Sequence, residues 1–247
     1  MSIRGKTAFV SGAGRNIGRA VALELAARGC NVVVNGLANR EACEETARLV
    51  REKGVEALVA LGDVGRSEVV AEIAAAALAK FKAVDIAINN AAIRPQKPFL
   101  ELTDEDWRRV LAVDLDSAFY VSRAFLPGMV AAGWGRIINV TGMNAMHGYS
   151  GRAPVSVAKH GLWGLTKALA KEFGPKGVTV NGVSPGPIRT EHPDPATVRH
   201  IESMLPQVPL GRLGEPEDIA ALCGFLCSAE GGFINAQMIA SNGGAQT

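Results

Sequence analysis

The chain has 247 residues, 48% of them hydrophobic, and its 26 Lys and Arg against 24 Asp and Glu leave a formal charge of +2. That length and apolar content suit one large core. Charge near balance, with no long basic run or aromatic-basic stripe, argues against nucleic acid as a main partner.

The longest alanine-rich segment, Ile73 to Ala79, is too short to span a bilayer, and Ser2-Ile3-Arg4-Gly5-Lys6 lacks a signal-peptide core. No membrane partner and a cytoplasmic compartment are therefore expected. Cys30, Cys43, Cys223 and Cys227 show no metal-type pairing with the four histidines, and Cys223 and Cys227 stand at helical spacing. They read as reduced core thiols, and no metal is expected.

Lys6 to Ser11 reads as a first strand and is followed by Gly12-Ala13-Gly14-Arg15-Asn16-Ile17-Gly18 and a helix through Arg28. Glycines between a strand and a helix let the backbone approach a pyrophosphate, whose charge is favoured at the helix N-terminus. Gly12, Arg15, Asn16, Ile17 and Gly18 are thus candidate dinucleotide contacts, and Asn at position 16 tolerates a positive φ.

Asn31 to Val34 is the second strand, ending at Asn35-Gly36-Leu37 without the carboxylate that would grip an NAD ribose. With Arg15 and Arg40 nearby, the expectation favours NADP(H) over NAD(H). Asn39 to Lys53 reads as a helix, Val55 to Leu61 as a strand, Arg66 to Lys80 as a helix and Val84 to Ile88 as the fourth strand. This alternation predicts a parallel sheet with right-handed crossovers.

Thr103-Asp104-Glu105-Asp106 opens a helix with a capping residue and an acidic first turn, and Trp107, Val110 and Leu111 read as core. Ile137, Ile138 and Val140 form a short β-branched strand, and Val155 to Phe173 carries a helical pattern. The polar loop between them offers Asn144, His147, Tyr149, Ser150 and Arg152. In an open α/β sheet, such a loop at the carboxyl end of a central strand is where ligands meet catalytic groups.

Gly177 to Val183 is the sixth strand. Residues 191 to 209 are irregular, with four prolines, Pro193, Pro195, Pro206 and Pro209, and 190–210 is expected to act as a substrate lid. Pro216 starts a helix, and the last strand lies near Gln237 to Ala240. The expected fold is a single doubly wound α/β domain over 1–247, a Rossmann-type parallel sheet of about seven strands.

From Lys6 to Gly244 the layout resembles the short-chain dehydrogenase/reductase (SDR) family. Ser11, Gly12, Asn16 and Gly18 stand at its Thr-Gly-x-x-x-Gly-x-Gly, Asn89-Asn90-Ala91-Ala92 at its Asn-Asn-Ala-Gly, and Pro185-Gly186-Pro187-Ile188-Arg189-Thr190 at its Pro-Gly segment. The resemblance implies that Asn90, Lys159, Pro185, Gly186, Ile188 and Thr190 meet the cofactor and that Asp63 and Val64 lie against adenine. Asp63 has a second reading as a helix cap. The resemblance also implies a homotetramer acting on a small-molecule substrate.

The catalytic positions depart from that pattern. Lys159 occupies the lysine of Tyr-x-x-x-Lys, but Val155 stands at the tyrosine, Gly142 at the serine and Asp114 at the asparagine. Asp with Lys, and neither Ser nor Tyr, resembles the 2,4-dienoyl-CoA reductases, an SDR branch that uses Asp, Lys and a water to reduce a conjugated double bond. The resemblance therefore implies an NAD(P)(H)-dependent oxidoreductase with Lys159 and Asp114 as working groups, acting on an enone, enoyl or 3-oxoacyl compound. Gly142, Asn144, Tyr149, Arg152 and Val155 would line the substrate pocket, with Tyr149 as a candidate displaced acid and Arg152 as a candidate anion clamp. Two alternatives stand beside this: a non-redox lyase, hydrolase or dehydratase reusing the pocket, and a catalytically silent dinucleotide-binding subunit or sensor.

Overall fold

In the computed structural model, which describes residues 3–191 and 195–246, seven strands form one parallel sheet in the order β3-β2-β1-β4-β5-β6-β7. In chain order the elements are β1 (Thr7–Val10), α1 (Asn16–Ala27), β2 (Asn31–Gly36), α2 (Arg40–Arg51), β3 (Ala57–Leu61), α3 (Ser67–Phe81), β4 (Ile86–Asn89), α4 (Asp104–Leu111) and α5 (Ser117–Ala131). They continue with β5 (Gly135–Val140), α6 (Asn144–His147), α7 (Ala153–Phe173), β6 (Val178–Pro185), α8 (Pro195–Ser203), α9 (Pro216–Cys227) and β7 (Met238–Ser241).

The strands read as apolar runs because both faces of the sheet are covered. One cluster joins Ile138 and Val183 to Val21 and Leu25 of α1, Val50 of α2 and Ile219 and Leu226 of α9. The other joins Ile137 and Val180 to Ile73 of α3, Phe125 and Met129 of α5 and Ala170 of α7. Ile137 and Ile138 serve opposite faces, as the period of two in a strand requires. Each fully buried aliphatic of this kind contributes about 1.5 to 3 kcal/mol relative to exposure. All four cysteines are buried and unpaired by disulfide.

Buried amides cross-link the sheet centre. Asn89 Nδ2 donates to Asn139 Oδ1 at 2.8 Å, and Asn139 Nδ2 donates to Thr166 Oγ1 of α7 at 2.8 Å. At the carboxyl ends of β1 and β4, where the strand order reverses, Asn90 Nδ2 donates to the Ser11 carbonyl at 2.9 Å and Ser11 Oγ accepts from the Asn90 and Ala91 amides. A sheet of this topology takes its ligand in the crevice at that reversal.

Several boundaries differ from the sequence expectation. β2 continues through Asn35 and Gly36, because these residues are hydrogen-bonded in register with Ala60 and Leu61. β6 likewise continues to Pro185 alongside β7. The loop after β5 contains the short helix α6. The helix expected to run from Thr103 through Asp114 is interrupted: a π-helical turn, Ala112–Asp116, separates α4 from α5. Thr103 caps α4 as expected, its Oγ1 accepting the Asp106 amide while the Asp106 carboxylate accepts the Thr103 amide. Within the proposed lid, 192–194, including Pro193, lie outside the described residues.

Candidate active site

The phosphate loop has the shape that a dinucleotide needs. Gly12 has φ +64° and Asn16 φ +50°, so Asn adopts the left-handed conformation expected of it. A Cβ on Gly18 would stand 2.2 Å from the Gly12 carbonyl oxygen and 2.7 Å from Asn90 Nδ2, so the helix approaches the turn as only glycine permits. Arg15, at the N-cap of α1, has no side-chain capping bond, which leaves the first-turn amides to an anionic ligand. Its side chain is exposed and has no ion-pair partner among the described residues.

At the end of β2 a side chain on Gly36 is obstructed, because a Cβ there would meet Cys43 Sγ at 2.4 Å. Arg40 is engaged with Glu44 at 3.6 Å on the surface, and Arg19 donates to the Gly14 carbonyl and Thr46. Arg15, by contrast, stands exposed in the phosphate loop. These features fit a nicotinamide dinucleotide.

Other expected cofactor contacts are placed more narrowly. Ile17, Val64 and Ile188 put their side chains into the core, at 8%, 4% and 6% exposure. Asp63 does not cap α3, whose N-cap is Arg66. Its Oδ1 accepts the Gly65 amide at 2.9 Å and its Oδ2 pairs with Arg109 Nη1 at 2.6 Å, a partner 46 residues away. In the Pro-Gly segment the Gly186 amide donates to the Ser241 carbonyl at 3.0 Å, the Arg189 amide donates to the Gly214 carbonyl at 2.7 Å and the Gly214 amide donates to the Pro187 carbonyl at 2.9 Å, a bridge around Ile188. A Cβ on Gly186 would meet Asn242 Cα at 2.5 Å. Pro185 and Gly186 are therefore held against β7, with half-buried Thr190 following.

Asn16 also reaches the proposed lid. Its Nδ2 donates to the Glu191 carbonyl at 3.0 Å and its Oδ1 accepts the Glu191 amide at 2.9 Å.

Lys159 and Asp114 meet, as the sequence implies. Lys159 Nζ is 3.5 Å from Asp114 Oδ2, and the two side chains are 4% and 0% exposed. The ammonium donates to the Val140 carbonyl at 3.2 Å, and Asp114 Oδ1 accepts the Ile93 amide at 2.8 Å. Asp114 Oδ2 has no hydrogen-bond partner closer than this long ion pair. The π turn carries Asp114 inward, a role such turns often take at functional sites. Burial pushes the Lys159 pKa below its ordinary 10.5, Asp114 opposes that fall, and Arg94 adds to it.

Val155 is buried at 1% exposure one turn before Lys159. Gly142 has φ +86°, and a Cβ there would meet nothing within 4 Å. Space for a serine exists, but the backbone is left-handed, so the missing hydroxyl reflects conformation and not crowding.

Tyr149 is exposed, and its hydroxyl lies 3.4 Å from His200 Nε2 on α8. The structure thus turns the candidate displaced acid towards the proposed lid. Among the described residues its hydroxyl makes no contact with Lys159 or Asp114. Arg152 stacks over the Tyr149 ring with its guanidinium carbon 5.0 Å from the centroid. The side chain of Asn144 lies outside the described residues.

Arg94 was not singled out by sequence reasoning, although it follows Asn-Asn-Ala-Ala directly. It is exposed; surrounding protein lowers its pKa, and Asp114 counters that effect. A separate surface depression lined by Asp104, Trp107, Arg108, Leu111 and Asp116 lies on the outer side of α4, outside this site.

The family profile described as Enoyl-(Acyl carrier protein) reductase matches residues 12–246. The chain is 37% identical over 244 residues to the 3-oxoacyl-[acyl-carrier-protein] reductase FabG of Pseudomonas aeruginosa, covering 99% of this chain and 98% of the relative. It is 38% identical over 240 residues to an acetoacetyl-CoA reductase of Rhizobium meliloti, covering 97% and 98%. A candidate NAD(P)-dependent gluconate 5-dehydrogenase from Beutenbergia cavernae, solved with NADP bound at low occupancy, superposes with a TM-score of 0.90 at 35% identity, covering 99% and 98%. A candidate short-chain alcohol dehydrogenase from Sinorhizobium meliloti does so with 0.93 at 30% identity, covering 98% and 96%. With its crevice at the sheet reversal and its lysine on the following helix, the chain belongs to the short-chain dehydrogenase/reductase family of NAD(P)-dependent oxidoreductases.

Proposed function

We propose that this protein is an NADP(H)-dependent reductase that works without the family's tyrosine and serine, using Lys159 and Asp114 on a conjugated enoyl or 3-oxoacyl substrate. The observation that carries this reading is the buried Lys159–Asp114 pair, whose Asp114 Oδ2 has no close partner. The names of the FabG and acetoacetyl-CoA reductase relatives support the substrate class. Asp114 in place of asparagine favours the enoyl branch. A homotetramer in the cytoplasm is part of the same proposal. Among the described residues, no helix is long and apolar enough to cross a membrane.

A nicotinamide held in the crevice would supply a hydride to the β-carbon of a conjugated carbonyl. The chain must then stabilise negative charge on the carbonyl oxygen and deliver a proton to the α-carbon. Lys159 has three N–H donors, of which one goes to Val140 and one faces Asp114. The third is free for a ribose hydroxyl or the developing oxyanion, and such preorganised donors in a buried site contribute most to charge stabilisation. Asp114 Oδ2 would hold and orient a water as the proton source. Enolate stabilisation needs a cation, whereas ketone reduction also needs an acid at the carbonyl oxygen, the group lost at Val155.

Side-by-side assays of NADPH oxidation with a conjugated dienoyl thioester and a 3-oxoacyl thioester test this. The dienoyl compound is expected to react at least about tenfold faster, since the missing acid is worth roughly 10²- to 10⁴-fold in a ketone reduction. Faster reaction of the 3-oxoacyl compound would reverse the substrate assignment. Arg15→Ala is expected to raise KM for NADPH about tenfold and leave KM for NADH within about twofold, through loss of one charge-assisted phosphate contact. Equal effects on both cofactors would place Arg15 elsewhere.

A further inference from the structure

Two arginines at the mouth of the crevice form no salt bridge among the described residues. Arg94 follows Ile93, whose amide donates to Asp114 Oδ1 at 2.8 Å. Arg152 stands at the N-cap of α7, two helical turns before Lys159 and therefore near the same face. The segments carrying the two arginines are joined, because the Lys97 amide donates to the Gly151 carbonyl at 2.8 Å and Gln96 packs against Gly151. The Arg152 Nε is buried without a hydrogen-bond partner, and its guanidinium carbon lies 5.0 Å from the centroid of the Tyr149 ring.

The local charge is unbalanced. Lys159, Arg94 and Arg152 contribute three cations and Asp114 a single anion. The Asp114 carboxylate is already shared between Lys159 and the Ile93 amide. Arg152 disfavours the charged form of Arg94, so the two positive charges repel across the mouth. An anion placed between them would relieve that repulsion and satisfy the buried Nε.

We infer that Arg94 and Arg152 clamp a carboxylate of the substrate itself, so that the reacting compound is a small oxo acid, held as the free anion, whose carboxylate is separate from the carbonyl that faces Lys159. Planar guanidinium forks match a carboxylate in two-point contact. The phosphate of a phosphopantetheine or coenzyme A thioester lies many bonds from the reacting carbon, so it is not the anion expected on segments that adjoin Asp114 and Lys159. The inference rests on the substrate pocket of the proposed reductase and narrows the substrate from an acyl thioester to an acid.

Calorimetric titration of the NADP⁺-loaded protein with acetoacetate and with methyl acetoacetate tests the clamp without requiring turnover. The acid is expected to bind at least about tenfold more tightly than the ester. Arg94→Gln and Arg152→Gln should each weaken acid binding about tenfold and leave ester binding within about twofold, while Arg94→Lys retains part of the affinity. Equal binding of acid and ester, binding of neither, or loss of ester affinity in the same variants would overturn the clamp. Acid-selective binding that depends on both arginines would uphold it, and in a protein that oxidises no NADPH it would remove only the redox reading.

Discussion

Lys159→Met is expected to remove NADPH-dependent turnover, with kcat falling about a thousandfold, since the substitution deletes the donor that faces the developing oxyanion. It is also expected to destabilise the fold by about 3 kcal/mol, because Asp114, whose side chain is 0% exposed, would keep its charge without a counter-ion. Chemical denaturation separates the two effects. The double variant Lys159→Met with Asp114→Asn should recover most of the lost stability and none of the activity, as expected when both members of a buried pair are replaced by neutral groups. A single Lys159→Met variant as stable as the parent would mean that the pair is not closed to solvent. Retained turnover would move the chemistry away from this lysine.

Asp114→Asn keeps an acceptor for the Ile93 amide, so the backbone geometry should survive. The rate is expected to fall roughly 10²- to 10⁴-fold, the range for loss of a positioned proton donor or relay. The substitution also restores the residue typical of the family, and no gain should follow, because Val155 leaves it without a tyrosine to serve.

The pH dependence gives an independent readout. Burial holds the Lys159 pKa below its ordinary 10.5, and activity that needs the ammonium is lost as pH rises through that depressed value. Asp114 raises the value, so Asp114→Asn should move the alkaline limb of kcat/KM to lower pH. Arg94 lowers it, so Arg94→Gln should move the limb the other way. For stability the sign follows from proton binding: between the folded-state pKa and 10.5 the unfolded chain holds more protons, so Lys159 makes the fold more stable as pH climbs through that window. Limbs that shift in the same direction for both variants would contradict the assigned charges.

The sheet was legible because the strands are short apolar runs that alternate with longer helical patterns, and some helices carry a start signal, such as the Thr103 capping box of α4 and Pro216 of α9. The meeting of Asp114 with Lys159 was legible from their places in the family layout. The π turn at Ala112–Asp116 was not, because its residues, Ala-Val-Asp-Leu-Asp, keep a helical character and the extra backbone register leaves no mark in composition. The pairing of Asp63 with Arg109 was hidden by 46 residues of separation. The orientation of Tyr149 depends on His200 in α8, a tertiary contact that periodicity does not encode. Arg94 carried one usable signal, its position directly after a cofactor-facing motif, and became a candidate once the chain fold placed it beside Asp114.

In the proposed reductase, hydride transfer persists on Lys159 and Asp114 alone. It is tested most directly by a single-turnover reaction with NADPH deuterated at the transferring position and a panel of 2-enoic and 3-oxo acids and thioesters, with products read by mass spectrometry. The expected result is a product that carries one cofactor deuterium in the parent protein, with transfer lost in Lys159→Met. NADPH that binds tightly but gives no deuterated product across the panel would contradict the reductase and leave a non-redox enzyme or a silent nucleotide-binding subunit.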